Sequence, residues 1–208
     1  MTGSLKYIAI FIGVVLTDFF IFPVALTVSA GANSKMLMAA LGLVSLFVNM
    51  SKQKADFINR SFLTLSLWAA AVSLAGYIAV VVNATNDYTY ATYIVSMWVW
   101  IMAAYFLMLC LKEIHNGLTV HIIFNYVVAV CTFQCVFALL YEYNPSFREF
   151  INSVHIGLNL VYETKGRMQG LSASLDPAGI RFAASLVLLG YIIFDREDDK
   201  NFTRDTAL

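Results

Sequence analysis

The stretch YATYIVSMWVWIMAAYFLMLCL, from Tyr90 to Leu111, decides the class of this protein because it contains no charged side chain. A hydrocarbon core of about 30 Å is crossed by roughly 20 helical residues. A backbone in contact with lipid must satisfy its own hydrogen bonds, so a run of this length and composition is expected to form a transmembrane helix. This segment alone predicts a membrane protein.

The composition of the whole chain agrees with that prediction. Of the 208 residues, 60% are hydrophobic and 12% are charged, and the mean hydropathy is +0.75. An average soluble domain has about half apolar and about 25% charged residues. A soluble chain of 23.1 kDa has too little interior to hide so much apolar surface. The balance of 13 basic and 13 acidic residues provides no basic footprint for nucleic acid.

Five further apolar runs resemble the one from Tyr90 to Leu111. We therefore predict an all-α, polytopic transmembrane helix bundle of about six spans, forming a single domain over residues 1–208. The spans are expected near residues 7–28, 36–50, 62–82, 90–111, 118–141 and 178–194. The first run is longer than the apolar core of a signal peptide, which favours a retained helix.

The placement of basic residues predicts the orientation of the bundle, because cytoplasmic loops carry an excess of Lys and Arg. With both termini in the cytoplasm, eight basic residues lie inside and five lie outside. The segment 51–60 has three of the inner ones, whereas the loop 83–89 has none. The sequence thus predicts a multi-pass protein of the plasma membrane with both termini cytoplasmic.

The connection between the fifth and sixth spans, residues 142–177, is the longest in the chain and is predicted to lie outside. Long structured loops are usually functional. Apolar side chains recur there with steps of three and four residues. This spacing predicts an amphipathic helix that lies in the membrane interface on the outer side of the plasma membrane. Asn144-Pro145-Ser146 provide a stop and a cap before it. The apolar positions are Phe147, Phe150, Ile151, Val154, Leu158, Val161 and Tyr162.

The end of this outer loop is basic and contains glycine. Lys165 and Arg167 precede Gly170, and Arg181 lies in the first turns of the sixth span. Guanidinium groups pair with phosphate oxygens, and glycine permits close approach of a backbone. These residues predict a site for a lipid diphosphate, whose tail stays in the bilayer. The alternative is that the basic side chains only anchor the interface by snorkelling, and the charges alone do not separate the two interpretations.

The motif Arg167-Met168-Gln169-Gly170-Leu171, followed by Asp176-Pro177 and an apolar helix, resembles the signature of the bacterial O-antigen ligase and O-antigen polymerase family. Weaker similarities are Asp18 with Pro23, Lys35 and Gln134. The resemblance implies a glycosyltransferase of the inner membrane that takes glycan from a polyprenyl diphosphate and passes it to an acceptor hydroxyl, without a metal or other cofactor. It also implies that Arg167 contacts the diphosphate and that Gly170 approaches it closely.

The sequence departs from the family at Ala178, where Asn is usual. The resemblance covers roughly the N-terminal half of a family member, and the part beyond it carries further arginines and the expected base. Transfer is therefore expected to require a C-terminal half or other proteins of polysaccharide assembly. No catalytic group is assigned within this chain.

Asp18 is the one acidic residue predicted to lie in the middle of a span, which marks it as a functional or paired group. Burial also favours its protonated form. With Pro23 in the same span, it supports an alternative function, a non-catalytic membrane protein such as a small transporter or an accessory subunit. Packing or gating is expected of Asp18 rather than direct chemistry, and Gln134 is expected to join helices through a hydrogen bond.

Overall fold

The structure is a computed structural model, and it describes residues 3–24, 33–51, 60–154 and 175–195. Within these ranges 88% of the residues are helical and there is no strand, so the predicted all-α class is confirmed. The helices are α1 (Gly3–Ile21), α2 (Ser34–Ser51), α3 (Arg60–Val82), α4 (Tyr93–His115), α5 (Val120–Tyr143), α6 (Pro145–Val154) and α7 (Leu175–Asp195).

Four of these helices are long and apolar enough to cross a membrane, namely α2, α3, α4 and α5. The apolar part of α7, Gly179–Phe194, is shorter. Large apolar side chains such as Leu67 and Val82 on α3 are exposed, as is expected of helices whose surroundings are lipid. The membrane character predicted from composition is supported, and the number of six spans stays a prediction.

The first helix is shorter than the predicted span 7–28, because α1 ends at Ile21. Pro23 disfavours helical conformation in the residue before it, which explains the early end. The Ser34 hydroxyl closes this end by accepting the Val24 N–H at 3.0 Å and donating to the Phe19 carbonyl at 3.0 Å. Asp18 consequently lies in the last turn of α1 and not in the middle of a helix.

The chain divides into two compact units. Unit 1 comprises residues 1–34 and 110–208, and its described part contains α1, α5, α6 and α7. In unit 1, Gly13 packs against Tyr126 and Asp18 against Gln134, so α1 and α5 run in the same direction. Cys131 and Phe124 contact Arg181 and Tyr191 respectively, so α7 runs in the opposite direction to α5.

Unit 2 comprises residues 35–109 and contains most of α2, α3 and α4. The Ser73 hydroxyl of α3 accepts the Ile94 N–H at the start of α4 at 2.9 Å, and Phe62 near the start of α3 meets Trp98. These contacts make α3 and α4 an antiparallel pair. Gly42 of α2 lies directly against the backbone of α4 at Met102.

The predicted amphipathic helix begins where the cap residues indicated. The Asn144 side chain accepts the Phe147 N–H at 3.1 Å, and Pro145 occupies the first helical position, a position that proline favours. Phe147 packs on Phe137 of α5 with ring centroids 5.3 Å apart, and Ile151 is buried. The later residues of the predicted apolar face, Leu158, Val161 and Tyr162, lie outside the described residues.

Candidate functional site

The most deeply buried polar pair of unit 1 joins α1 to α5. The Gln134 side chain is 0% exposed and the Asp18 residue 4% exposed. Nε2 of Gln134 donates a hydrogen bond of 2.7 Å to Oδ1 of Asp18. The other amide atom, Oε1 of Gln134, is buried and has no hydrogen-bond partner within the described part of the chain. The expectation that Gln134 joins helices through a hydrogen bond is confirmed.

The sequence of α5 explains why an amide reaches this position. The buried residues of α5 recur every three or four positions and form the stripe that faces α1 and α7; they are Tyr126, Val130, Cys131, Gln134 and Phe137. Gln134 is the only member of that stripe with an amide side chain. The periodicity alone could have placed it on the packed face. Asp18 as its partner was not predicted, because the relative register of two apolar helices is not visible in their sequences.

Arg181 is the one predicted diphosphate ligand that the structure describes. It lies in the second turn of α7, half-buried, with the guanidinium carbon 5.3 Å from the centre of the Phe22 ring. A cation over an aromatic face at this distance is a favourable contact. The Arg181 carbonyl faces the Cys131 thiol at 3.9 Å, and the Ser185 hydroxyl binds the same thiol.

Arg181 and Asp18 approach the same end of α1 without forming an ion pair. Phe22, which supports the guanidinium, follows Asp18 by one helical turn, and its N–H donates to the Asp18 carbonyl at 2.7 Å. No salt bridge joins the two charged side chains, both of which are described. The Arg181 guanidinium therefore does not donate to the Asp18 carboxylate in a salt bridge.

The other three predicted ligands, Lys165, Arg167 and Gly170, lie outside the described residues. The helices on either side of their segment are described, and both α6 and α7 pack on α5. Arg148 of α6 donates to the Tyr141 and Glu142 carbonyls at 3.0 Å and 2.8 Å. The segment is thus attached at both ends to helices that contact α5.

No group of three or more His, Cys, Asp or Glu side chains that could hold a metal ion occurs among the described residues. Two histidines of unit 1 have aromatic neighbours instead. The His115 ring lies 2.9 Å from the Tyr126 hydroxyl, and the His121 ring stacks on Tyr191. These contacts are typical of packing.

A cavity of about 490 Å³ lies in unit 2, at the end of α3 and the loop that follows it. Its lining includes Val72, Gly76, Val80, Asn83, Asp87 and Tyr90. The side chain and N–H of Thr89 both donate to the Asp87 carboxylate, and these hydrogen bonds hold the pKa of Asp87 below its usual value of 3.8. The negative charge of Asp87 in the lining does not suit a diphosphate, which is itself an anion. The sequence analysis did not anticipate this cavity, which depends on how α3 meets Tyr90.

No protein-family model, curated protein or solved structure matches the chain. The resemblance to the O-antigen ligase and polymerase family therefore stays a prediction from the motif itself.

Proposed function

We propose that this chain is a membrane component of bacterial cell-surface polysaccharide assembly. In this proposal it binds a polyprenyl diphosphate-linked glycan at the outer face of the inner membrane, through Lys165, Arg167, Gly170 and Arg181. The prenyl tail would stay in the acyl region, and the diphosphate would meet the cationic side chains at its edge.

The observation that supports the proposal most directly is the burial of the Arg181 guanidinium and its contacts. Its half-buried guanidinium rests on the Phe22 ring and makes no salt bridge with a described carboxylate. A guanidinium that forms no salt bridge with the described carboxylates can pair with phosphate oxygens. Leu175, the start of α7, follows Gly170 by five positions, and five fully extended steps of the chain span at most about 18 Å. Gly170 is therefore tethered within about 18 Å of the start of the helix that carries Arg181.

The reaction that the resemblance implies is a glycosyl transfer. The acceptor hydroxyl attacks the anomeric carbon of the donor, the bond from that carbon to the diphosphate breaks, and the lipid diphosphate leaves with the electron pair. Fixed cations beside the leaving group stabilise the charge that develops on it. In this proposal the present chain supplies donor binding, and a partner half supplies the group that accepts the hydroxyl proton.

Substitution of Arg167 tests the proposal in cells. With Arg167→Ala as the only copy, we expect the long surface polysaccharide to be lost or shortened at unchanged protein level, and Arg167→Lys to retain part of it. Lys112→Ala is the matched control, because Lys112 is exposed at the other end of the bundle in the predicted orientation. An unchanged distribution of glycan lengths in Arg167→Ala cells would refute the proposal.

A second candidate function is a small transporter or an accessory subunit. It is favoured by the position of Asp18, in the last turn of a helix that ends inside the bundle and beside a buried amide. Helices that end within a membrane often provide coupling-ion sites. Solute uptake into proteoliposomes that is abolished by Asp18→Asn and unaffected by Arg167→Ala would favour this function over the first.

A further inference from the structure

We propose that Asp18 and Gln134 form a proton-binding site inside the membrane, in which a neutral Asp18 carboxyl donates its hydrogen to Oε1 of Gln134. This inference does not depend on the proposed glycan function. It rests on the hydrogen bond between the two side chains, on their burial, and on the groups that surround them.

The burial of both side chains favours the neutral form of the acid. Asp18 is 4% exposed and Gln134 is 0% exposed, so neither side chain has appreciable contact with solvent or lipid. A carboxylate in such a place needs a counter-ion or several donors, because desolvation penalises the charge far more than the neutral acid. The described residues provide one donor to it, Nε2 of Gln134.

The charged and polar groups on the neighbouring helices do not neutralise the carboxylate. On α1, the Thr17 hydroxyl donates to the Gly13 carbonyl at 2.8 Å. On α5, the Cys131 thiol is bound by the Ser185 hydroxyl of α7 and faces the Arg181 carbonyl. Arg181 itself lies over Phe22 and forms no salt bridge with Asp18.

The geometry of the hydrogen bond accommodates the bound proton. A half-turn of the Gln134 amide exchanges Oε1 and Nε2 while the heavy atoms keep their places, because the two ends of an amide have nearly the same shape. The separation of 2.7 Å lies within the usual range of O–H···O bonds as well as of N–H···O bonds, so it accommodates either donor. The turned amide gives Oε1 a donor, and Nε2 then occupies the buried position that Oε1 held.

The same pair can also hold the ionised acid. When the proton leaves, the amide turns back and Nε2 donates to the carboxylate. The contact between α1 and α5 is then kept in both states, and only the charge and the direction of the hydrogen bond change. Proton binding to Asp18 would consequently alter the electrostatic potential beside Arg181 without breaking the hydrogen-bonded contact between α1 and α5.

Infrared difference spectroscopy of the full chain in lipid nanodiscs tests the site without requiring a reagent to reach it. At neutral pH, subtraction of the Asp18→Asn spectrum from the wild-type spectrum should show the carbonyl band of one protonated, hydrogen-bonded carboxylic acid. Asp87→Asn is the matched control, because Asp87 is an exposed aspartate on a loop. That variant should leave the band unchanged.

Gln134→Leu provides a second difference spectrum that keeps the acid and removes its partner. We expect the carbonyl band to remain and to move to a higher frequency, because the O–H of the acid has lost its hydrogen-bond acceptor. This measurement also serves if Asp18→Asn fails to fold. A wild-type spectrum at neutral pH with no protonated carboxyl band, or a band that neither variant changes, would overturn the proposal.

Discussion

Gln134 and Asp18 are 116 residues apart in the sequence, yet their side chains share a buried hydrogen bond of 2.7 Å. The bond fixes the register of α5 against α1, together with the close contact between Gly13 and Tyr126 further down the same pair of helices. It also brings the only described acid of α1 next to the helix that contacts Arg181.

The Asp18–Gln134 bond is expected to couple the two helices energetically. Gln134→Leu alone should lower the free energy of unfolding by about 1–3 kcal/mol, since it removes the partner of a buried polar group. In a double-mutant cycle with Asp18→Leu, the coupling should be about 0.6 kcal/mol and at most about 1.7 kcal/mol, the range for polar pairs between membrane helices. Unfolding in mixed detergent micelles measures these values, and strictly additive effects would contradict the coupling.

Gly42 is expected to be intolerant of any side chain. A Cβ at this position would overlap the Met102 carbonyl oxygen of α4, and overlap with backbone can be relieved only by moving a helix. Gly42→Ala should therefore lower the free energy of unfolding by about 1–3 kcal/mol, as overpacking does. Gly190→Ala is the control, because no atom lies within 4 Å of the Cβ it would add. Equal stability of the two variants would show that α2 and α4 are not in this contact.

Asp87 is expected to titrate below the usual aspartate value of 3.8, because Thr89 donates two hydrogen bonds to its charged form. A depressed pKa means that the interaction stabilises the loop above pH 3.8 and is lost as the pH falls through the lower, folded-state pKa. NMR of carboxyl-labelled protein can follow the titration. Thr89→Ala should raise the midpoint, whereas Thr92→Ala should not, since the Thr92 hydroxyl donates only to backbone carbonyls. A midpoint that Thr89→Ala leaves unchanged would contradict the role of these hydrogen bonds.

The predicted orientation can be tested with two cysteines on short loops. Thr85→Cys lies between α3 and α4, and Gly117→Cys lies between α4 and α5, where an added Cβ meets nothing within 4 Å. In intact cells, a membrane-impermeant maleimide should label position 85 and not position 117. The parent chain, whose cysteines are Cys110, Cys131 and Cys135, gives the background. Labelling of position 117 alone would contradict the predicted orientation and would place both termini outside.

Most of the helical architecture could be predicted from the sequence, because the runs that form α3, α4 and α5 are long, apolar and separated by polar turns. The structure differs mainly at the first span. There the apolar composition continues past Pro23, and composition does not register the constraint that a proline places on the residue before it. The cap at Asn144 was predictable because capping uses residues that are adjacent in sequence.

The candidate site was less predictable, because its contacts join distant parts of the chain. Asp18 and Gln134 are each recognisable as polar residues in apolar spans. The sequence around either residue does not indicate that the other is its hydrogen-bond partner. The support of Arg181 by Phe22 likewise depends on α7 crossing the end of α1. The basic motif at Lys165, Arg167 and Gly170 was found by residue pattern, and its role stays a prediction.

Direct binding of a prenyl diphosphate is the measurement closest to the central claim. The full chain in nanodiscs should bind undecaprenyl diphosphate saturably, with undecaprenol as the lipid control that lacks the charged group. Arg167→Ala should weaken the binding at least tenfold, which corresponds to about 1.4 kcal/mol, and Lys112→Ala should leave it unchanged. Binding that is equal for the diphosphate and the alcohol, or equal in the wild type and Arg167→Ala, would contradict the account.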